Sequence, residues 1–345
     1  STILKGSDYF DTKLYTGNGS TQTISGLAFS PDLVWIKGRS FAEYHGLFDT
    51  VRATGKVLFS NATDPENSYT ASTQNLTTFN SDGFSLGTDG PLGTNRSSIT
   101  YAAWCWDAGT STVTNTQGSI TSTVRANASA GFSIVTYTGN LSGSGTATVG
   151  HGLGVAPQMV ITKRRNGASD WVVQHVGLPS ANNLIYLNST SATGTSGYGT
   201  LVAPTSSVFT TAWITGLNTN GDTHVAYCFA PVNSFSAFGS YQGNGSSDGP
   251  FVYTGFRPRW VMVKASSTTG NWAIIDTARD SYNTAGKLLL PDKSDAEYDY
   301  TSSYPDDILS NGFKPRNTGT VFNSSGVTYV YACFAESPFS IARAR

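Results

Sequence analysis

The chain has 345 residues, 21 Lys and Arg against 22 Asp and Glu, and a charged share of 12%, with Ser, Thr, Asn and Gly supplying the polarity instead. A near-neutral balance with scattered basic residues lacks the basic patch that nucleic-acid binding needs, and no run approaches the roughly 18 apolar residues of a membrane span. The length allows two or three domains with cores of their own, and the start Ser1-Thr-Ile-Leu-Lys-Gly lacks a signal-peptide core, which predicts synthesis in the cytoplasm.

Read in chain order, the first pattern is Tyr15-Thr-Gly-Asn-Gly-Ser20, a tyrosine running into a turn whose Gly and Asn tolerate positive φ, as in a hairpin loop. Next comes Pro31-Asp-Leu-Val-Trp-Ile-Lys37, an apolar run between a proline and a lysine, then Asp49-Thr-Val-Arg52, a turn at Asp82-Gly-Phe84, and the run Thr100-Tyr-Ala-Ala-Trp-Cys105-Trp. The polar, low-complexity stretch 109–124 follows. After it the same patterns return. Tyr137-Thr-Gly-Asn-Leu-Ser142, Pro157-Gln-Met-Val-Ile-Thr-Lys163 and Thr223-His-Val-Ala-Tyr-Cys228-Phe form a second set. The third is Tyr241-Gln-Gly-Asn-Gly-Ser246, Pro258-Arg-Trp-Val-Met-Val-Lys264, Asp276-Thr-Ala-Arg279, Asn311-Gly-Phe313 and Thr328-Tyr-Val-Tyr-Ala-Cys333-Phe.

Proline and cysteine lie 74, 71 and 75 residues apart in the three sets, a spacing that points to related modules in tandem. Short runs rich in Val, Ile, Thr, Tyr, Phe and Trp, broken by Gly, Asn, Ser and Asp, read as strands, and no stretch keeps helical periodicity for three turns. The expected fold is all-β, three tandem related β-sandwich modules: 1–110, 131–235 and 236–345, with 111–130 a polar linker or added edge strand. The first joint is expected to be flexible or extended. The second, Pro231-Val-Asn-Ser-Phe-Ser-Ala-Phe238, carries two aromatics and is expected to pack. Around Cys228 both faces of the run are apolar, which predicts a central strand covered on both sides. One cysteine per module forbids a disulfide within a module, so Cys105, Cys228 and Cys333 are expected to be small buried hydrophobes.

The segments Gly131-Phe-Ser-Ile-Val-Thr-Tyr-Thr-Gly139, Val149-Gly-His-Gly-Leu-Gly-Val-Ala-Pro157, Phe238-Gly-Ser-Tyr-Gln-Gly-Asn-Gly245, Phe251-Val-Tyr-Thr-Gly-Phe-Arg-Pro258 and Leu309-Ser-Asn-Gly-Phe-Lys314 resemble modules in virion proteins of tailed bacteriophages, especially marine and cyanobacterial ones. The resemblance runs over nearly the whole chain and implies a structural or tail-fibre-like place on a virus particle. It brings no catalytic motif and no ligand residue. The first module opens already at Tyr15, so direct docking on capsid or tail, as a decoration, is expected.

Candidate chemistry is sparse. Gly245-Ser-Ser247-Asp-Gly249 matches a nucleophile elbow in letters, but that motif needs a helix after it, and a strand signal follows here. Glycan hydrolysis needs two carboxylates across a cleft; the four glutamates are dispersed, and Asp292, Asp295, Glu297, Asp299, Asp306 and Asp307 fall in one stretch expected to be a solvated loop without EF-hand spacing. His45, His151, His175 and His224 have no partner at metal-site spacing. Lys163-Arg164-Arg165, the one basic cluster, reads as a solvated strand end. Arg52 and Arg279 share a turn context that suits a local ion pair or a partner contact. Trp171 and Trp272 follow polar turns at matching positions, and Tyr298, Tyr300 and Tyr304 cluster in the acidic stretch, so all five aromatics are candidates for covering the apolar faces of sugar rings.

The sequence thus predicts a non-enzymatic phage virion surface protein, a fibre-type adhesin or capsid decoration. Its expected partners are other virion proteins, further copies of itself as a homo-oligomer, and host-surface carbohydrate. No catalytic residue, metal or cofactor is expected, nor nucleic acid or membrane insertion. The alternative is a polysaccharide depolymerase acting on the same host glycans.

Overall fold

A computed structural model describes residue 3 and residues 5–68, 73–90, 92–303 and 305–336. The chain is all-β, with a single 3-10 turn at Gly6–Asp8 and no α-helix among the described residues. The first third holds β1 (Phe10–Thr16), β2 (Gln22–Ile24), β3 (Leu33–Gly38), β4 (Gly46–Asp49), β5 (Lys56–Phe59), β6 (Asn67–Ser68), β7 (Leu76–Asn80), β8 (Gly83–Leu86) and β9 (Thr100–Trp106). The second holds β10 (Thr112–Asn115), β11 (Ser122–Asn127), β12 (Phe132–Thr138), β13 (Thr146–Gly150), β14 (Met159–Arg164), β15 (Val172–His175), β16 (Asn183–Tyr186), β17 (Gly194–Thr195), β18 (Val208–Ala212) and β19 (Thr223–Phe229). The last holds β20 (Ser236–Gln242), β21 (Val252–Tyr253), β22 (Pro258–Ala265), β23 (Trp272–Asp276), β24 (Lys287–Leu288), β25 (Tyr298–Asp299), β26 (Asp306–Leu309), β27 (Gly312–Pro315) and β28 (Thr328–Ala335). We call these groups of strands lobes 1, 2 and 3.

Each lobe has a main antiparallel sheet whose order runs alike: β1-β9-β3-β4, β12-β19-β14-β15 and β20-β28-β22-β23. A smaller sheet covers each: β2-β8-β7, β13-β18 and β21-β27-β26. The cysteine-bearing strand is second in each of these four-strand orders, and all three thiols are free and buried. The tyrosine-glycine turns are not hairpins. Each carries the chain from the main sheet to the small one, because β1 and β2, β12 and β13, and β20 and β21 belong to different sheets. Each turn is pinned from about 80 residues downstream by a buried asparagine: the backbone NH groups of Asn18, Asn140 and Asn244 donate to the side-chain oxygens of Asn95, Asn218 and Asn323 at 3.1, 2.7 and 2.9 Å. A side chain at Gly17, Gly139 or Gly243 would place its Cβ within 2.2 to 2.3 Å of a backbone carbonyl oxygen, so only glycine fits there.

Residues of a strand face alternate sides, and in the main sheets both sides are dry. In β9, Tyr101, Ala103 and Cys105 pack inside lobe 1's own sandwich. Ala102, Trp104 and Trp106 turn the other way, into a cluster shared by all three lobes. In β19, likewise, Ala226 and Cys228 face inward, and Val225, Tyr227 and Phe229 face the shared cluster. Its centre is a triangle of the residues that follow the three cysteines: Trp106, Phe229 and Phe334, with ring centroids 6.2, 5.7 and 5.9 Å apart. The expectation of a strand covered on both faces therefore holds for a different reason than a free-standing sandwich gives. One cover is the lobe's own small sheet, and the other is the two neighbouring lobes.

Neither joint dangles. Residues 111–130 contain β10 and β11, which extend the lobe 2 sheet beyond β12; a flexible linker is excluded by the β11 to β12 ladder from Ser122↔Tyr137 to Asn127↔Phe132. At the second joint Phe235 and Phe238 are buried in the shared cluster.

Because all lobes lean on one triangle, Trp106→Ala should cost about 3–5 kcal/mol, the usual price of truncating a buried aromatic. Denaturant unfolding followed by separate probes in lobes 1, 2 and 3 should show the same shifted midpoint in all. Separate midpoints would show lobes that fold independently.

Candidate functional site

The three lobes meet in three seams, and several of the titratable groups singled out in the sequence lie in them. Lys37, Lys163 and Lys264 end the apolar runs β3, β14 and β22 and are fully buried. Each ammonium reaches carbonyl oxygens of the neighbouring lobe: Lys37 Nζ to Ser294 O at 3.2 Å, Lys163 Nζ to Thr63 O at 3.0 Å, Lys264 Nζ to Thr190 O at 3.2 Å and Ser191 O at 3.0 Å. Lobe 1 thus holds lobe 3, lobe 2 holds lobe 1, and lobe 3 holds lobe 2. The seams close a ring within one chain. Burial pushes all three ammonium groups down to about 8, while the surrounding carbonyls give each one hydrogen-bond acceptors.

The same cyclic order recurs one layer away. Trp171 Nε1 donates to Phe59 O at 2.6 Å, and Trp272 Nε1 to Tyr186 O at 2.8 Å. Trp171 and Trp272 are therefore 0% and 1% exposed and offer no face to a sugar. Their matching positions reflect seam packing. His45 holds the corresponding place in lobe 1, its backbone NH on Asn61 as those of Trp171 and Trp272 are on Asn188 and Asp292.

Arg52 and Arg279 are also buried, so the partner-contact reading fails for them as well. Arg52 Nε is 2.5 Å from Asp49 Oδ2, and its Nη1 is 3.1 Å from Glu66 Oε2. Glu66 in turn accepts two hydrogen bonds from Arg165 across the seam, at 2.9 and 3.0 Å. Arg279 repeats this with Asp276 at 2.6 Å and Glu297 at 3.0 Å, and Arg39 of lobe 1 closes on Glu297 at 2.8 and 2.9 Å. Burial opposes ionisation of Glu66 and Glu297, but the paired guanidinium groups prevail and hold both carboxyls below their usual range. The cluster Lys163-Arg164-Arg165, expected in solvent, is divided: Lys163 is buried and Arg165 reaches Glu66 across the seam, while Arg164 pairs with Asp222 of its own lobe at 2.8 Å.

The acidic stretch of lobe 3 is likewise divided. Glu297 belongs to a seam, Asp306 is fully buried, and burial drives its carboxyl well above the usual range. Tyr298 and Tyr300 are half-buried, packed against the shared cluster and stacked at 5.3 Å and 7°. The Tyr298 hydroxyl donates to Asp295 Oδ2 at 2.6 Å, a bond that pushes it up to about 12. Tyr304 lies outside the described residues. The serine-containing turn 245–249 leads into β21 with no helix after it.

His175 and His224 are pushed down to about 4 by burial, and the cysteine thiols are pushed up by burial. Neither set is poised for proton transfer or nucleophilic attack at neutral pH. Among the described residues, no group of three His, Cys, Asp or Glu side chains converges to hold a metal ion, and no helix is long and apolar enough to cross a membrane.

Sequence reasoning missed a concave site on lobe 2. A cleft of about 410 Å³ opens there, lined among others by Val160, Gln174, His175, Leu178, Ala203 and Pro204. Its volume is in the range of ligand pockets. Gln174 sits opposite Val160 just as Phe48 sits opposite Val34 and Ile275 opposite Val261, so an amide replaces a bulky apolar side chain here. The sequence held a signal, because the Gly-Phe turn of residues 82–84 and 311–313 occurs in the first and third sets and has no match in the second.

A family model described as a domain of unknown function (DUF7483) matches residues 5–338, so the chain belongs to that family. No curated protein and no solved structure matches it.

The seam lysines make stability depend on pH. The folded value of about 8 lies below the usual 10.5, so the stability each lysine contributes is present above 10.5 and lost as pH falls through 8. Relative to Lys264→Met, the wild type should gain about 1–3 kcal/mol between pH 8 and 10.5. Urea denaturation of both proteins across that range reads the difference directly; a constant gap would mean that Lys264 titrates normally.

Proposed function

We propose that this chain is a non-enzymatic structural protein of a tailed-phage virion surface, built from three related β-sandwich units and displayed on capsid or tail. The observation that carries this reading is the closure of three like sheets into one ring around an aromatic axis. Such a body is rigid, and it consumes its buried ionisable groups in holding itself together. Its surface is polar through hydroxyls and amides, which suits repeated display. The resemblance of its turn and strand motifs to phage virion modules supplies the setting. Other virion proteins and further copies of the chain are its partners in this reading.

Within it, host contact falls to the loop that includes the short strand β25, where Tyr298 lies, and Tyr300 just after it. That loop is anchored on its inner side, where Glu297 N donates to Arg39 O at 2.8 Å, so its aromatic pair is presented on a fixed base. Weak contacts of this kind gain strength when many copies engage one surface. Stacked tyrosines of this type cover apolar sugar faces.

Phage carrying Tyr298→Ser with Tyr300→Ser should assemble normally but adsorb to host cells several-fold more slowly. Labelling the protein on intact particles by electron microscopy should place it on the outer surface. Unchanged adsorption together with fragile particles on deletion would replace the adhesin by a pure decoration, and absence from particles would end the virion reading. Release of soluble sugar from host glycan by the purified protein would favour a depolymerase.

A further inference from the structure

Lobe 2 has two strands that its neighbours lack. The main sheets of lobes 1 and 3 end at β1 and β20, whereas in lobe 2 the matching strand β12 is followed outward by β11 and then β10. β10 pairs with β11 alone, from Thr112↔Arg125 to Asn115↔Ser122. Among the described residues no hydrogen bond from outside β11 reaches the backbone of Thr112, Val113 or Thr114, and all three residues are exposed.

An open edge is a template for another strand, and proteins blunt such edges with charge, proline, a bulge or a cover. β1 carries Asp11 and Lys13, and Asp11 is bridged to Arg259 of lobe 3 at 2.9 Å. β20 has Gly177 of lobe 2 against it, so near that a Cβ there would stand 2.6 Å from Gly239 O. β10 has no such device. Residues 109–124 hold no charged residue and no proline, and the register of β10 with β11 runs without a shift. The side chains point the same way. One row crosses the sheet from Ala226 through Val135 and Val124 to Val113, each residue opposite the next. The first three are 0%, 0% and 1% exposed, while Val113, the last rung, is 54% exposed.

We propose that the β10 edge is a self-association surface, on which β10 of a second copy of this chain pairs antiparallel about a two-fold axis and joins two lobe 2 sheets into one. The register that continues the apolar row sets Val113 opposite Val113 of the second copy; Thr112 then meets Thr114, and Ser111 meets Asn115. A two-fold contact turns identical strands on each other, so a charge at its centre would meet itself, and the uncharged edge avoids that clash. Threonine pairs across strands are favourable as well. A strand of a different protein would be selected by charges or side-chain pockets, and β10 offers neither. A strand of four residues buries little area, so the association is weak and follows concentration. The surface stands on sheet order and side-chain placement and does not rest on the virion reading.

Sedimentation of the purified full chain over a concentration series should show a reversible monomer–dimer equilibrium, and amide exchange at 112–115 should slow as the dimer fills. Val113→Lys and Val113→Glu each set like charges face to face across the axis. Each should weaken dimerisation at least tenfold and leave the urea midpoint of the fold unchanged. Mixed in equal amounts, the two variants should dimerise with each other, because lysine then faces glutamate. Should either variant lose its fold, Val113→Cys replaces it and should form a disulfide-linked dimer under mild oxidation. The proposal is overturned if the wild type stays monomeric at millimolar concentration, if Val113→Lys dimerises as well as wild type, or if the dimer protects another segment. It is equally overturned if the mixed charged variants, or the oxidised cysteine variant in their place, stay monomeric. A monomeric wild type would leave the virion reading to the particle labelling, and absence from particles would leave this contact standing.

Discussion

The structure depends on one constraint: the main sheet of each lobe has two apolar faces, and the lobe's own small sheet covers only one. Cys105 and Trp104 are neighbours in β9, yet the first packs within lobe 1 and the second against the other lobes. A sheet left with Trp104 and Trp106, or Tyr227 and Phe229, in water would forgo the largest apolar burial available to it. Three such faces meeting on one axis cover each other, and the triangle of Trp106, Phe229 and Phe334 is the result.

That closure brings polar groups into a dry seam, where each must find a partner. Backbone supplies most of them, as in the NH groups of Glu66, Thr193 and Glu297, which donate to Arg165 O, Ser266 O and Arg39 O at 2.7, 2.8 and 2.8 Å. Beyond this shared frame the seams differ. Two carry an Arg–Glu–Arg bridge, while the third has Thr193 against Ser266 at the corresponding place. Buried ion pairs contribute little net stability because desolvation offsets attraction, but a mismatched one is costly. The unequal seams therefore tell the lobes apart, so that lobe 1 docks on lobe 3 through Arg39 and on lobe 2 through Glu66.

Strand character and the turn chemistry were legible in the sequence, because they are local: β-branched and aromatic runs, Gly-Asn turns, a cysteine in each apolar run. The constant Pro-to-Lys spacing was visible too, although its meaning was not. A lysine at the end of an apolar run ordinarily reaches solvent, and only the neighbouring lobe's carbonyls explain why Lys37, Lys163 and Lys264 stay buried. Trp171 and Trp272 misled for the same reason. A tryptophan after a polar turn looks available until a distant segment, 112 residues away for Phe59, is found against it. The lobe 2 cleft left only faint traces in the sequence, a Gly-Phe turn without a match in the second set and Pro204 among its lining residues.

The ring is closed in space but is made in a line. Arg39 and its partner Glu297 are 258 residues apart in the chain, so a ribosome has finished lobe 1 long before the residues that complete its seam exist. At about 5–20 residues per second, the interval is on the order of 10–50 s. Throughout it the axial face of lobe 1, with Trp104 and Trp106, has no cover from the last lobe. A newly made chain of this design is thus most exposed to misassembly with its neighbours on the same message, and its third lobe acts as the clasp that ends that exposure.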